Sequence, residues 1–164
     1  MILFSSALEL VINKNKIMND LIIDATTSKI FLTLIKNNKN IYTSKYENSK
    51  NNFDILLVLI DDLLKKNKLS IKNLNRIYVN RGPGSFAGIR NSISVVKGFH
   101  VSQNIDYYCF SFFDFIKINS TIKNEIVKDL TLLHQFHNIK YQEIPKLCNK
   151  YKIKKNLIKP LYLS

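Results

Sequence analysis

Arg76-Ile77-Tyr78-Val79-Asn80-Arg81-Gly82-Pro83-Gly84-Ser85-Phe86-Ala87-Gly88 is the stretch on which the fold turns. Its opening residues, Arg76 to Val79, read as a strand, since Ile77 and Val79 are β-branched and Tyr78 is aromatic. Pro83 then fixes one backbone dihedral, Gly82 and Gly84 permit others, and Ser85 is placed to cap a helix. Apolar spacing carries that helix from Phe86 to about Gln103. A strand, a tight turn and a helix in succession form an α/β junction. Backbone N–H groups at such a junction can bind phosphate. The spacing nevertheless lacks the Lys and Ser or Thr of a nucleotide P-loop and does not fit the dinucleotide fingerprint. By itself the loop reads as a turn that aims a helix.

Towards the N-terminus, Leu21-Ile22-Ile23 reads as a buried strand ending in Asp24 and the polar turn Ala25-Thr26-Thr27-Ser28. Ile30 to Lys36 makes a second strand. Asn37 to Asn40 makes a turn, because Asn tolerates left-handed backbone, and Ile41 to Tyr46 returns as a third strand. A polar stretch, Asn48 to Asn52, precedes a helix over Phe53 to Lys66, with Lys65, Lys66 and Lys68 suiting the negative end of its dipole. Beyond the junction, Tyr107 to Phe110 reads as a strand, and Ser111 is placed to cap a third helix reaching Ile118. The order β-β-β-α-β-α-β predicts an α/β fold with a mixed sheet, a hairpin at one side and helices packed on it. After Asn119 the pattern weakens. Ile126 to Ile144 suits a strand pair, and Pro145 to Tyr151 a short helix. Residues 1–17 are expected outside the fold, residues 18–118 as the main lobe, and residues 119–164 as a short C-terminal segment.

The 164 residues are 46% hydrophobic, as in a packed protein, and carry a net charge of +13. Such charge suggests an acidic partner, nucleic acid first among them. The competing reading is an overall bias towards Lys, Asn and Ile, since the lysines are scattered and no Arg–aromatic stripe stands out. The densest basic run, Lys150 to Lys159, is the one placed to touch RNA. Cys109 and Cys148 are too few for a disulfide framework or a metal knuckle and suit a reducing compartment. No segment reaches the ~20 apolar residues that span a bilayer, and residues 1–17 lack the leading charge of a signal peptide. A cytoplasmic protein is expected.

Ile55-Leu56-Leu57-Val58-Leu59-Ile60 is apolar throughout, and in a helix such a run points in every direction, each step turning about 100°. Phe53, Leu56, Leu57, Ile60, Leu63 and Leu64 form one stripe able to cover the sheet, which leaves Ile55, Val58 and Leu59 beyond it. The second helix repeats the theme, with Ile89, Ile93 and Val96 on one stripe and Val95 and Phe99 on another. Either the C-terminal segment folds back over these helices or another protein docks on them.

The run Arg81-Gly82-Pro83-Gly84-Ser85-Phe86-Ala87-Gly88-Ile89-Arg90 resembles the signature of the TsaB family. Ile22-Ile23-Asp24-Ala25-Thr26 is similar to that family's opening strand and turn. Leu69 to Leu74 is similar to its connector, Lys97-Gly98 to its K-G pair, and Pro160-Leu161-Tyr162-Leu163 to its closing P-x-Y-L. The resemblance is dense from Leu21 to about Phe115. It implies an actin-like (ASKHA, ribonuclease H-like) lobe followed by a reduced second lobe, in a protein that is not itself a catalyst. It also implies a scaffold role in making threonylcarbamoyladenosine beside the anticodon of tRNA. In that family TsaB pairs with the catalytic subunit TsaD through two helices, corresponding here to Phe53–Lys66 and Phe86–Gln103, and the ATPase TsaE joins the pair. Contact with tRNA is then indirect, and self-pairing as a homodimer stays open. Only a short segment follows Asn119, so whether it recruits TsaE stays open. Ile55, Val58, Leu59 and Asp62, with Arg90, Ser94, Lys97 and Val101, are the expected interface residues. Arg81, Gly82, Pro83, Gly84, Ser85, Phe86 and Gly88 would shape the junction.

Catalytic groups are sparse. Asp24, Thr26, Thr27 and Ser28 suit an ATP-phosphate turn of the actin-like class. That supports an alternative phosphotransferase or hydrolase, but no matching turn or adenosine pocket is found, so Asp24 reads better as a brace. His134 and His137 lack an evident third metal ligand, and His100 stands alone. Ser85 has no companion His or Asp. No cofactor, metal or catalytic residue is expected, and a small basic RNA-binding protein is the remaining reading.

Overall fold

A computed structural model of the chain describes residues 17–37, 39–47, 55–115 and 139–162. Five strands form one sheet: β1 (Asn19–Asp24), β2 (Lys29–Lys36), β3 (Lys39–Glu47), β4 (Arg76–Asn80) and β5 (Asp106–Phe110). Their spatial order is β3-β2-β1-β4-β5. β2 lies antiparallel to β1 and β3, and β4 lies parallel to β1 and β5. Asn37 takes the left-handed conformation (φ 51°) at the β2–β3 turn, as its residue type suggests. The parallel strands need crossovers, and α1 (Leu56–Lys66) and α2 (Phe86–Gln103) supply them. The expected β-β-β-α-β-α-β order is thus the order found.

Strand alternation divides the sheet between two cores. Leu21 and Ile23, Ile77 and Val79, and Tyr107 and Cys109 face α1 and α2. Ile22, Tyr78 and Phe110 face the other way, where Phe112, Phe115, Ile144 and Cys148 cover them. Ile144 and Cys148 belong to α3 (Ile144–Lys150), so α3 packs on the sheet face opposite the helix pair, while Ile158 further on packs on the helix side. Downstream residues also guard the outer edge of β5. Lys155 bridges to Tyr108, the Asn156 amide donates to the Tyr107 carbonyl at 2.8 Å, and the Asn156 side chain accepts from the Tyr107 N–H at 2.9 Å. An unpaired edge is thereby partly closed.

Several expectations are corrected. α1 buries Leu56, Leu59, Ile60, Leu63 and Leu64, whereas Leu57 is 50% exposed. Leu59 therefore joins the core rather than the outer face, and Leu57 leaves the core stripe. The buried arc spans roughly 140° of the helix, and Leu57 falls just past its rim. Periodicity defines such an arc but not the rotation at which the sheet and α2 capture it. In α2, Phe99 is buried with Ile89, Ile93 and Val96, so the expected second stripe merges with the first. The third helix begins as a single 3-10 turn, Phe112–Asp114. Ser111 accepts from the Phe113 N–H, and Asp114 accepts from the Ser111 N–H at 2.7 Å, which closes the turn on itself. Residues 116–118 lie outside the described residues.

The expected strand pair over Ile126 to Ile144 falls mostly outside the described residues. Its last part is a 3-10 turn, Tyr141–Glu143, running into α3, with Pro145 in the first helical turn where its missing N–H costs nothing. Residues 1–16, 48–54, His134 and His137 also lie outside the described residues. Among the described residues no helix is long and apolar enough to cross a membrane.

Candidate functional site

The glycine turn is a joint between three parts of the chain. Ser85 caps α2 by accepting from the Gly88 N–H at 3.2 Å, and its own N–H donates to the Thr26 carbonyl at 2.7 Å. Gly84 (φ 154°) lies so close to the turn after β1 that an added Cβ would meet the Thr26 carbonyl oxygen and Cβ. A Cβ on Gly82 (φ 109°) would meet the Leu161 carbonyl oxygen and, at 2.8 Å, the Ile89 side chain. Both glycines are thus required by close approach. Arg81 draws in the rest. It pairs with Asp114 at 2.6 Å, donates to the Lys159 carbonyl at 3.1 Å and accepts from the Leu161 N–H at 2.8 Å. The Tyr162 ring packs on Phe86, centroids 4.9 Å apart, and the Arg90 guanidinium lies over the same Phe86 ring at 5.3 Å. The closing Pro160-Leu161-Tyr162 motif therefore rests on the Arg81–Phe86 motif, far from it in sequence.

Under this joint sits Asp24, 1% exposed. Its Oδ1 accepts from the Thr26 N–H (3.0 Å) and hydroxyl (2.7 Å). Its Oδ2 accepts from the Asn80 amide (3.0 Å) and the Tyr141 hydroxyl (2.8 Å). Asn80 in turn accepts from the Gly82 N–H at 3.1 Å, so one carboxylate braces β1, β4, the glycine turn and the C-terminal segment. Burial, and then the Asp24 charge, raise the Tyr141 phenol well above its ordinary range, which keeps it a donor. A carboxylate so saturated is occupied as a structural brace. Neither Asn80 nor Tyr141 was legible as a site residue. Asn80 adjoins the glycine run, whereas Tyr141 falls where the sequence pattern is weakest.

On the other side of the sheet the outer surfaces of α1 and α2 are open. Ile55 (38% exposed) and Val58 (55%) line up one turn apart, with Leu57 and Asp62 beside them. On α2, Arg90, Ser94, Lys97 and Val101 are all exposed, Val101 by 77%. Of the expected interface residues, Leu59 alone is withdrawn into the core. Gly98 lies on the same exposed helix, and nothing within 4 Å would meet a Cβ there.

Other chemistry is muted. Among the described residues no cluster of His, Cys, Asp and Glu has the makings of a metal site. His100 bonds the Ile105 carbonyl at 3.0 Å where α2 ends and packs on Tyr107. Burial pushes the Cys109 and Cys148 thiols up to about 12, so at neutral pH neither forms the reactive thiolate. Iodoacetamide at pH 7.5 is expected to spare both thiols in the folded chain and to label both in urea. Rapid labelling of the native chain, read by intact mass, would contradict their burial.

A five-stranded 3-2-1-4-5 sheet with paired crossover helices and a braced strand–turn–helix joint defines a lobe of the actin-like, ribonuclease H-like class. A family model for TsaD, the tRNA N6-adenosine threonylcarbamoyltransferase, matches residues 39–133. Two curated relatives are tRNA threonylcarbamoyladenosine biosynthesis proteins TsaB of Buchnera aphidicola. The protein of subspecies Baizongia pistaciae is 32% identical over 84 residues, covering 51% of this chain and 38% of that protein. The protein of subspecies Schizaphis graminum is 32% identical over 92 residues, covering 56% and 44%. Among solved structures, YeaZ from Pseudomonas aeruginosa shares the fold with a TM-score of 0.54 at 19% identity, over 70% of this chain and 50% of that one. The chain belongs to the family of this TsaD-type model, and over about half of its length it is similar to the TsaB proteins. Its match spans less than half the length of either curated relative.

Proposed function

We propose that this chain is a non-catalytic scaffold that pairs with TsaD in the cytoplasm and supports threonylcarbamoylation of tRNA. The observation that carries the reading is the open apolar surface of the helix pair: Ile55, Leu57 and Val58 on α1 with Val101 on α2. Of the described C-terminal segment, Ile144 and Cys148 pack on the opposite face, and Ile158 and Tyr162 reach the helix side, yet Ile55, Leu57, Val58 and Val101 stay exposed. Full burial of an aliphatic side chain of this size is worth about 1.5–3 kcal/mol, before the ordering costs of association. Gly98 adds independent support. A glycine inside a helix costs roughly 0.5–1 kcal/mol relative to alanine, and no neighbour within the lobe demands one there. A second helix approaching closely would. The role of the TsaB relatives in threonylcarbamoyladenosine biosynthesis points to the pathway.

Mixing the full chain with TsaD from the same cell and weighing the product by light scattering tests the proposal. A one-to-one complex is expected, and separate elution at micromolar concentration would overturn it. The alternative of an ATP-binding enzyme finds no supporting observation, because the Asp24 carboxylate is already filled by protein donors.

A further inference from the structure

A cleft of about 520 Å³ opens on the face of the sheet opposite the helix pair, between α3 and strands β4 and β5. Lys146 of α3 and Lys152, just beyond it, stand at this cleft together with Arg76 and Lys155. Arg76 is paired with Asp20 and Lys155 with Asp106, whereas Lys146 and Lys152 have no ion-pair partner among the described residues. Aromatic surface lines the same cleft. Tyr78 and Tyr108 are stacked at 5.1 Å and 15°, and Tyr108 is only half-buried. A smaller cleft of about 160 Å³ shares Lys152 and Ile153 and continues past Lys154 to Lys159 and Arg81. Residues 139–162 carry seven lysines and one acidic residue, Glu143. Five of these lysines, Lys146, Lys152, Lys154, Lys155 and Lys159, thus line a basic strip of two adjoining clefts, with Asp114, the partner of Arg81, also lining the smaller one.

We propose that this strip binds the phosphate backbone of RNA, with Lys146, Lys152 and Lys154 meeting phosphates and the exposed part of Tyr108 offering a surface for a base. Cations that track a groove, with an aromatic ring inside it, are the arrangement that holds single-stranded RNA. A lipid surface calls for a flat or convex basic face with apolar residues projecting from it, whereas these cations rim a hollow. An acidic protein would gain nothing from the ring in the floor. The site lies across the sheet from α1 and α2, so it is independent of pairing through those helices and adds a direct RNA contact that the scaffold reading does not contain.

Fluorescence anisotropy of the full chain with labelled oligouridylate (about 12 nucleotides) and with unfractionated tRNA tests the site. Binding to both is expected, with log K falling against log salt at a slope of roughly −2 to −3, as for three or four neutralised phosphates. Lys146→Glu/Lys152→Glu should weaken binding at least ~10-fold and flatten the slope by about 1. The milder Lys146→Gln/Lys152→Asn pair covers any failure of the first variant to fold, since Asn accepts the left-handed backbone of Lys152 (φ 55°). Lys66→Glu/Lys72→Glu makes the same change in charge elsewhere and should alter affinity less than ~2-fold. Equal weakening by both double variants would overturn the proposal in favour of diffuse charge. So would binding to phosphatidylglycerol vesicles without binding to RNA, or displacement of RNA by polyglutamate at equal charge. Retention of the TsaD complex by Lys146→Glu/Lys152→Glu would separate this site from the pairing surface.

Discussion

Leu59→Asp unfolds the lobe, whereas Val58→Asp leaves it folded and removes the proposed pairing with TsaD: this is the expected result for two neighbours on one helix. Leu59 is 8% exposed and packs in the core with Leu56, Ile60 and Leu63. Truncating such a leucine costs about 2–5 kcal/mol, and a carboxylate left among aliphatic groups adds several more. The sum approaches the ~5–15 kcal/mol that holds a whole domain together. Val58 is 55% exposed, so the same substitution changes the isolated lobe by less than ~0.5 kcal/mol. In a complex it sets an unpaired charge against apolar helices. Circular dichroism reads the first outcome and light scattering with TsaD the second. A native melting midpoint for Leu59→Asp would remove Leu59 from the core. Co-elution of Val58→Asp with TsaD at undiminished yield would show that the outer face of α1 is not the docking surface.

Asp24→Ala is expected to lower stability by about 3–5 kcal/mol in urea denaturation. The substitution takes the acceptor from the Tyr141 hydroxyl and the Thr26 N–H and leaves the Asn80 amide only its longer bond to the Thr26 hydroxyl, at 3.4 Å. Each such loss costs about 1–3 kcal/mol, and the Thr26 hydroxyl can turn elsewhere. Asp24→Asn keeps one acceptor oxygen but sets an amide NH2 against the Asn80 donor, so an intermediate loss of about 1–3 kcal/mol is expected. The joint would loosen as a unit, because Asn80 also holds the Gly82 N–H. A loss below ~1 kcal/mol for Asp24→Ala would mean that the brace is not structural. If ATP affinity fell instead while stability held, the phosphate-binding reading of the turn would return.

The parts of this protein that were legible beforehand are those governed by near neighbours in the chain. Arg76 to Gly88 announced a strand, turn and helix because the glycines, Pro83 and Ser85 act within a few residues of themselves. α2 runs over Phe86–Gln103, as its apolar spacing and its cap indicated. α1 was visible as a helix with surplus apolar residues, yet its rotation was not, and Leu57 and Leu59 exchanged places accordingly. The family motif gave the closing Pro160-Leu161-Tyr162 its importance, but not its seat against Arg81 and Phe86.

Local pattern alone therefore determined the strands, the crossover helices and the turn that joins β4 to α2, whereas the close approach of Leu161 to Gly82 and of Thr26 to Gly84 is tertiary. Only the tertiary structure decided that α3 lies across the sheet from α1 and α2, that Tyr141 reaches Asp24, and that Lys146 and Lys152 share a cleft. The physical reason is range. Dihedral preference and helical or strand periodicity act over a few residues. Which face a distant segment covers depends on shape and buried surface that exist only once the sheet has formed.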